Sequence, residues 1–316
     1  MTAEHVVGEP QPYTPGSLIL SFYGAYGRSE LGGDVPVSVL IRTMAAAGAD
    51  APSVRSAVSR LKRRGLLVPT RTGGAAAYGL SADARQLLAD GDRRIYGAGT
   101  REEGDWLLVV FSVPESQRQK RHVLRSRLAG LGFGSAAPGV WIAPGALYEE
   151  TRHALDRLGL ASYVDLFRGA HAGFTPTAQA VRRWWDLDAL AALHRGFLAA
   201  HEPVLERWEA AAGAGAGGAA TRGANADGAE TRGANADGAG TRGADGRGAE
   251  AFADYLRALD SWRRLPYADP GLPAALLPDG WPGSRSAAVF GRLHELLREL
   301  GAAYVREQAR GQARAA

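Results

Sequence analysis

The chain has 316 residues, 46% of them hydrophobic and 22% charged, with no cysteine and a formal net charge of +4. Without cysteine, a disulfide scaffold, a thiolate zinc or iron–sulfur site and a thiol nucleophile are excluded together. No run of 18 apolar residues would span a membrane, and residues 1–15 carry Glu4 and Glu9 without an apolar core, so the expectation is a cytoplasmic protein with no secretory signal.

After an N-terminal tail (1–15), residues 17–96 predict three helices and a hairpin. The helices fall near Ser17–Tyr26, Pro36–Ala47 and Ser53–Arg64, the second opened by Asp34 and Pro36 and the third closed by Gly65. The segment LLVPTRTGGAAAYGL, 66–80, reads as strand, Gly73-Gly74 turn, strand, and Ser81–Ala89 reads as helix. Residues 105–168 alternate: DWLLVVFSVP strand, Gln117–Leu131 helix, GVWIAP strand from Gly139, Leu147–Leu158 helix, SYVDLF strand from Ser162. Strands alternating with helices make a small α/β unit, most simply ferredoxin-like. From Trp184 onward the pattern is helical, over Leu187–Ala212, Ala251–Arg264 and Ser286–Gln308, with a Pro-rich connector before the last.

Between the C-terminal helices lies a stretch of different composition. Residues 210–249 hold 27 Gly or Ala in 40, and a ten-residue unit recurs as TRGANADGAE from Thr221, TRGANADGAG from Thr231 and TRGADGRGAE from Thr241. The unit has no apolar face with which to stack on its neighbours, so a solenoid is excluded and a disordered, tolerated insertion is expected. The expected class is therefore α+β and multidomain. It comprises an N-terminal winged helix-turn-helix (16–97), a central ferredoxin-like α/β domain (98–178) and a mostly α-helical C-terminal domain (179–316) with a disordered Gly/Ala-rich loop.

Charge is concentrated early. Residues 17–82 carry eight basic side chains against three acidic ones, a surplus of five in a chain whose net charge is +4. A basic segment in a near-neutral protein points to a polyanionic partner. In SVRSAVSRLKRRG, Val54, Ala57, Val58 and Leu61 form one apolar stripe. Ser53, Arg55, Ser56, Ser59, Arg60, Lys62, Arg63 and Arg64 are left to the solvent sides, and Arg71 sits on the hairpin. A helix packed on one face and showing Arg and small hydroxyls on the other suits the major groove of double-stranded DNA. There Arg can take guanine O6 and N7, and Ser can reach bases or phosphates. The alternative is a solvated amphipathic helix.

The segment SVRSAVSRLKRRGLLV with its glycine-turn hairpin resembles the winged helix of PaaX-type regulators. WLLVVFSVPE (106–115), RQKRHVLRSRLAGLGFG (118–134) and PGVWIAP (138–144) resemble that family's central ferredoxin-like domain, and RLPYADPGLPAALLPDGWPG (264–283) resembles its C-terminal signature. The resemblance implies a homodimeric DNA-binding transcriptional regulator, usually a repressor, with no cofactor and with an aryl-CoA thioester such as phenylacetyl-CoA as effector. A homodimer would present two third helices to a near-palindromic operator.

For the effector, Trp184, Trp185, Tyr267 and Trp281 beside Arg182, Arg183, Arg263 and Arg264 offer rings for an aryl group and guanidiniums for phosphates. The alternative is an aromatic core with solvated arginines next to it. The central unit also resembles small CRISPR-associated nucleases, whose first strand ends in a metal-holding acid. Here the strand ends FSVPE, with Ser112 after Phe111 and Glu115 beyond the proline, so two-metal chemistry lacks its anchor. A metal-dependent nucleic-acid-processing enzyme, using Glu115 or Asp105, is therefore the rival and not the expectation. His194 and His201 lie seven apart where helical metal pairs are normally four apart, and read as ordinary core or surface histidines. No catalytic residue or metal site is expected.

Overall fold

The computed structural model describes residues 13–97, 104–222 and 237–313. Helix α1 (Pro15–Phe22) continues through a π-helical stretch, Tyr23–Gly27, into α2 (Arg28–Glu30). Then come β1 (Val35–Pro36), α3 (Val37–Ala46), α4 (Ala51–Arg63), β2 (Leu67–Thr72), β3 (Ala75–Leu80) and α5 (Ala82–Tyr96). The middle of the chain gives β4 (Trp106–Phe111), α6 (Arg118–Gly130), β5 (Gly134–Ala137), β6 (Val140–Pro144), α7 (Tyr148–Arg157) and β7 (Val164–Gly169). Helices α8 (Thr177–Trp184), α9 (Leu187–Arg222), α10 (Asp237–Trp262), α11 (Leu265–Ala268) and α12 (Gly283–Ala313) complete it. The protein is α+β, with helices and two antiparallel sheets.

The described residues form two compact units, and neither is continuous in sequence. One takes 13–89, 197–261 and 285–313; the other takes 90–196 and 262–284. Three consecutive domains are the expectation from the sequence, and α1 shows how segments distant in sequence come to share one unit. Its apolar side buries Leu18, Ile19 and Phe22, and the chain adds Tyr23 and Tyr26 just beyond. Phe22 and Tyr26 meet Phe252 of α10 at 6.1 and 5.5 Å. Ser17 and Ser21 donate to the buried Asp260 carboxylate at 3.0 and 2.9 Å. A buried carboxylate needs such donors, so N-terminal and C-terminal helices share one core. Within it α9 and α10 run antiparallel, linked from Trp208 Nε1 to Asp254 (2.9 Å) and between His201 and Ser261 (3.0 Å). Tyr255 of α10 meets His294 of α12 at 2.7 Å.

In the same unit, α1, α3 and α4 pack on one another beside a three-stranded sheet of order β1-β3-β2. The register runs from Leu67 opposite Leu80 to Thr72 opposite Ala75, and β1 sets Val35 against Tyr78.

The other unit is built on a sheet of order β5-β6-β4-β7, with every neighbouring pair antiparallel. In chain order it reads strand, helix, strand, strand, helix, strand. One face carries Leu107 and Val109 against Leu124, Leu128 and Leu131 at α6 and Ala154 and Leu155 of α7. The other face carries Trp106 and Ile142 against Val181, Trp185 and Leu272.

The structure corrects the sequence reading in the repeat segment. Disorder was expected over 210–249, yet α9 runs on to Arg222 and α10 begins at Asp237. Alanine has the best helix propensity, and extending an anchored helix needs no new nucleus, so Ala-rich flanks continue the helices they adjoin. Residues 223–236 lie outside the described residues, as do 1–12 of the expected tail. The elements missed include β1, β5, α8 immediately before Trp185, and the short α11.

Candidate nucleic-acid interface

Asp50 starts α4. Its backbone is extended (φ −70°, ψ 156°), and its carboxylate accepts from Ser53 N at 2.8 Å and from Ser53 Oγ at 2.8 Å. This is an N-cap, and Pro52 behind it lacks only an N–H that the first turn leaves unbonded anyway. The two Ser53 bonds hold the Asp50 carboxyl below its ordinary value. Gly65 takes φ +70° just past the helix end, a left-handed position suited to glycine.

Val54, Ala57, Val58 and Leu61 are all buried against the rest of the unit. Arg55, Ser56, Ser59, Arg60, Lys62, Arg63 and Arg64 are exposed, and Ser53 is half-buried. The nine residues chosen from sequence therefore divide by role. Ser53 is occupied by the cap. Ser56 accepts from Arg60 Nη1 at 2.7 Å, which steers that guanidinium along the helix. Arg55, Ser59, Lys62 and Arg63 stand free of the apolar stripe on the solvent side.

The hairpin after α4 turns on two residues, Gly73 (φ +56°) and Gly74 (φ +79°). Positive φ at both positions matches the strand twist and is strained for other L-residues. Arg71 is exposed at its tip, with Nη1 3.5 Å from the Gly74 carbonyl oxygen. The inner strand β3 pairs with β2 on one side and β1 on the other, and β1 runs directly into α3. Helices α3 and α4 and the hairpin are thereby joined through one backbone network. Neither α4 nor its flanking turn, 51–65, contains an acidic residue. An exposed face of guanidiniums, an ammonium and one hydroxyl can donate to a polyanion's oxygens and to base edges.

The rings and arginines chosen as an effector site meet a different fate. Trp185 is buried and donates from Nε1 to the Gly132 carbonyl at 2.9 Å. Trp184 stands edge-on to Trp106 (5.5 Å) and to His171 (5.1 Å), and Trp281 packs on the same apolar cluster. Tyr267 lies elsewhere, beneath the Arg94 guanidinium at 4.7 Å, and burial pushes its phenol up. Arg94 itself is spent on Glu150 (2.7 Å) and on the Leu131 and Pro266 carbonyls. Arg182, Arg183 and Arg264 are exposed and Arg263 is half-buried, with Arg183 donating to Thr175. Trp185 thus belongs to the buried apolar cluster, and Trp184 and Trp281 pack against it partly buried. His194 and His201 part company, the first meeting Asp269 and the second Ser261 and Tyr13. Glu115 pairs with Arg121, and Asp105 lies 3.9 Å from Arg168.

Three family descriptions match the chain in order. "PaaX-like protein" covers 14–84, "PaaX protein central Cas2-like domain" covers 100–181, and "PaaX-like protein C-terminal domain" covers 240–307. The chain belongs to the PaaX family. The first PaaX match spans α1 to β3 and so contains the whole candidate interface. "Transcriptional repressor PaaX" of Escherichia coli (strain K12) is 24% identical over 302 residues, covering 94% of this chain and 84% of the relative. Among solved structures, the uncharacterized protein Rv0674 from Mycobacterium tuberculosis matches with a TM-score of 0.51 at 20% identity. That alignment covers 94% of this chain and 99% of the other, a likeness of fold.

Proposed function

We propose that this PaaX-family protein is a sequence-specific DNA-binding transcriptional repressor. In this reading α1 to β3 is a winged helix-turn-helix. Helix α4 enters the major groove, and the β2–β3 wing brings Arg71 to the backbone or minor groove. The protein works in the cytoplasm, on double-stranded DNA, without a cofactor and without a catalytic step of its own. The central unit is ferredoxin-like, a reading favoured by its strand–helix–strand–strand–helix–strand order and its fully antiparallel sheet. As a homodimer it would meet a near-palindromic operator. An aryl-CoA thioester such as phenylacetyl-CoA would release it by binding the DNA-incompetent arrangement better. A difference of about 1.4 kcal/mol already weakens DNA binding about tenfold.

The observation that carries DNA binding is α4 itself, capped, anchored by four buried residues and showing its cations outward with no acid among them. The curated relative's name and the shared family support the regulatory reading. Fluorescence anisotropy tests it, using labelled DNA from upstream of the gene at physiological ionic strength, with and without phenylacetyl-CoA. Tight binding that exceeds binding to random DNA and is released by the thioester is the expected result. Binding indifferent to the thioester would remove the effector and keep the regulator. Binding no tighter than to random DNA across the upstream region would count against the operator assignment.

A further inference from the structure

Helix α6 is a second strongly basic element, in the unit that does not contain α4. Over Arg118–Gly130 it holds Arg118, Lys120, Arg121, Arg125 and Arg127 and no acidic residue. Like charges three and four apart repel, and helices commonly relieve this by interleaving acids. Helix α7, on the same sheet face, does so: Arg152 pairs with Glu149 and Asp156. Helix α12 does so too, through Arg292 and Glu295. In α6 the relief comes from outside the helix and reaches only part of it. Arg121 bonds Glu115 and the Val113 carbonyl, and Lys120 donates to the Tyr163 hydroxyl at 2.7 Å.

Of the remaining cations, Arg127 is half-buried on another side of the helix, while Arg118 and Arg125 line up. Leu124 and Leu128 bury one side, and at 100° per residue Arg118, His122 and Arg125 fall within about 60° of one another on a flank roughly 110° around the helix from it. All three are exposed, flanked by exposed Gln119 and Ser126. Arg118 and Arg125 are seven residues apart, about 10 Å along the axis, a span over which two long side chains can reach separate phosphates of one strand. The face carries two guanidiniums and no carboxylate. It has no Phe, Tyr or Trp on which successive single-stranded bases would stack, and no broad apolar face for a lipid surface.

Resting on the DNA-binding reading above, we propose that the Arg118–His122–Arg125 face of α6 is a second contact to the phosphate backbone of duplex DNA. It adds affinity without sequence preference. Arg118 and Arg125 would each neutralise a phosphate and release its counterion, so each should contribute about 0.9 to the slope of log K against log salt.

The experiment compares salt titrations of the intact protein on the upstream duplex and on a random duplex of equal length. The variants are R118Q/R125Q, R55A/R60A and a control, R152Q/R285Q, that removes two exposed, ion-paired arginines outside both helices. Unchanged thermal melting confirms that each variant is folded. The expected result is that R118Q/R125Q flattens the slope by about 2 and weakens both duplexes by the same factor, about tenfold or more, while the control leaves slope and affinity in place. A wild-type slope for R118Q/R125Q, or an equal loss in the control, overturns the proposal. If that happens while R55A/R60A still abolishes preference for the upstream duplex, the regulator reading stands alone. A wild-type protein that binds neither duplex overturns both.

Discussion

Arg60 is held along the helix by Ser56, whereas Arg55 has no such tether among the described residues. Two arginines on one face therefore start from different degrees of preorganisation. Arg55→Ala or Arg60→Ala should each weaken operator binding by about 1–3 kcal/mol if the residue reads a base, with a smaller loss on random DNA. Anisotropy on the two duplexes separates base reading from phosphate contact, since equal losses on both mark a phosphate. A second residue-scale expectation concerns His201. It is 3% exposed, lies against Phe197, Ser261 and Tyr13, and is pushed down to about 4, chiefly by burial and in part by Arg257. The folded imidazole is then neutral where the unfolded one, near 6.5, is already protonated. Between about pH 6.5 and 4 the unfolded chain binds more protons, so stability falls as pH falls through that window. Melting temperatures across it should drop for the wild type and drop less for H201Q.

At the scale of elements, α4 depends on its cap. Asp50→Ala should lower the melting temperature and weaken DNA binding, while Asp50→Asn keeps an acceptor for Ser53 N and should restore most of both. Sheet strand β5 is vulnerable in another way. A Cβ on Gly134 would lie 2.7 Å from the Trp184 carbonyl oxygen and from the Trp185 ring, so Gly134→Ala should destabilise by about 1–3 kcal/mol, read in a denaturant titration. These two elements also mark what could be read from sequence. Helix α4 and its hairpin carry local signals: a capping acid, an apolar stripe, Gly65 and a two-glycine turn. Strand β5 is Gly-Ser-Ala-Ala, with no β-branched residue, and it is a strand because β6 pairs with it. Helix α8 is too short for its period to stand out. At the interface the exposed cations were legible, but the engagement of Ser53 and Ser56 depends on cap geometry and rotamer. The fate of the rings depended on tertiary packing: Trp184 and Trp185 joined Trp106, while Tyr267 went to Arg94.

At the scale of the molecule, the repeat sits where α9 leaves and α10 returns, with Trp208 already bonded to Asp254 nearer their base. Replacing 213–246 by a short Gly-Ser turn should leave melting and DNA binding at wild-type values, since the anchoring pairs lie outside it and a shorter closure lowers the entropy lost on folding. Calorimetry and anisotropy on the shortened chain check this, and loss of either would give the repeat a working role. The two-residue strand β1 carries a wider consequence. By holding α3 to β3 it couples the helix on which α4 packs to the hairpin, so that, if α4 and the hairpin are groove helix and wing as proposed, the two would approach a duplex as one body. Any adjustment falls to the DNA. For the proposed dimer, operator positions that the protein never touches would then be selected for how easily they kink, with pyrimidine–purine steps favoured between the two contacted halves.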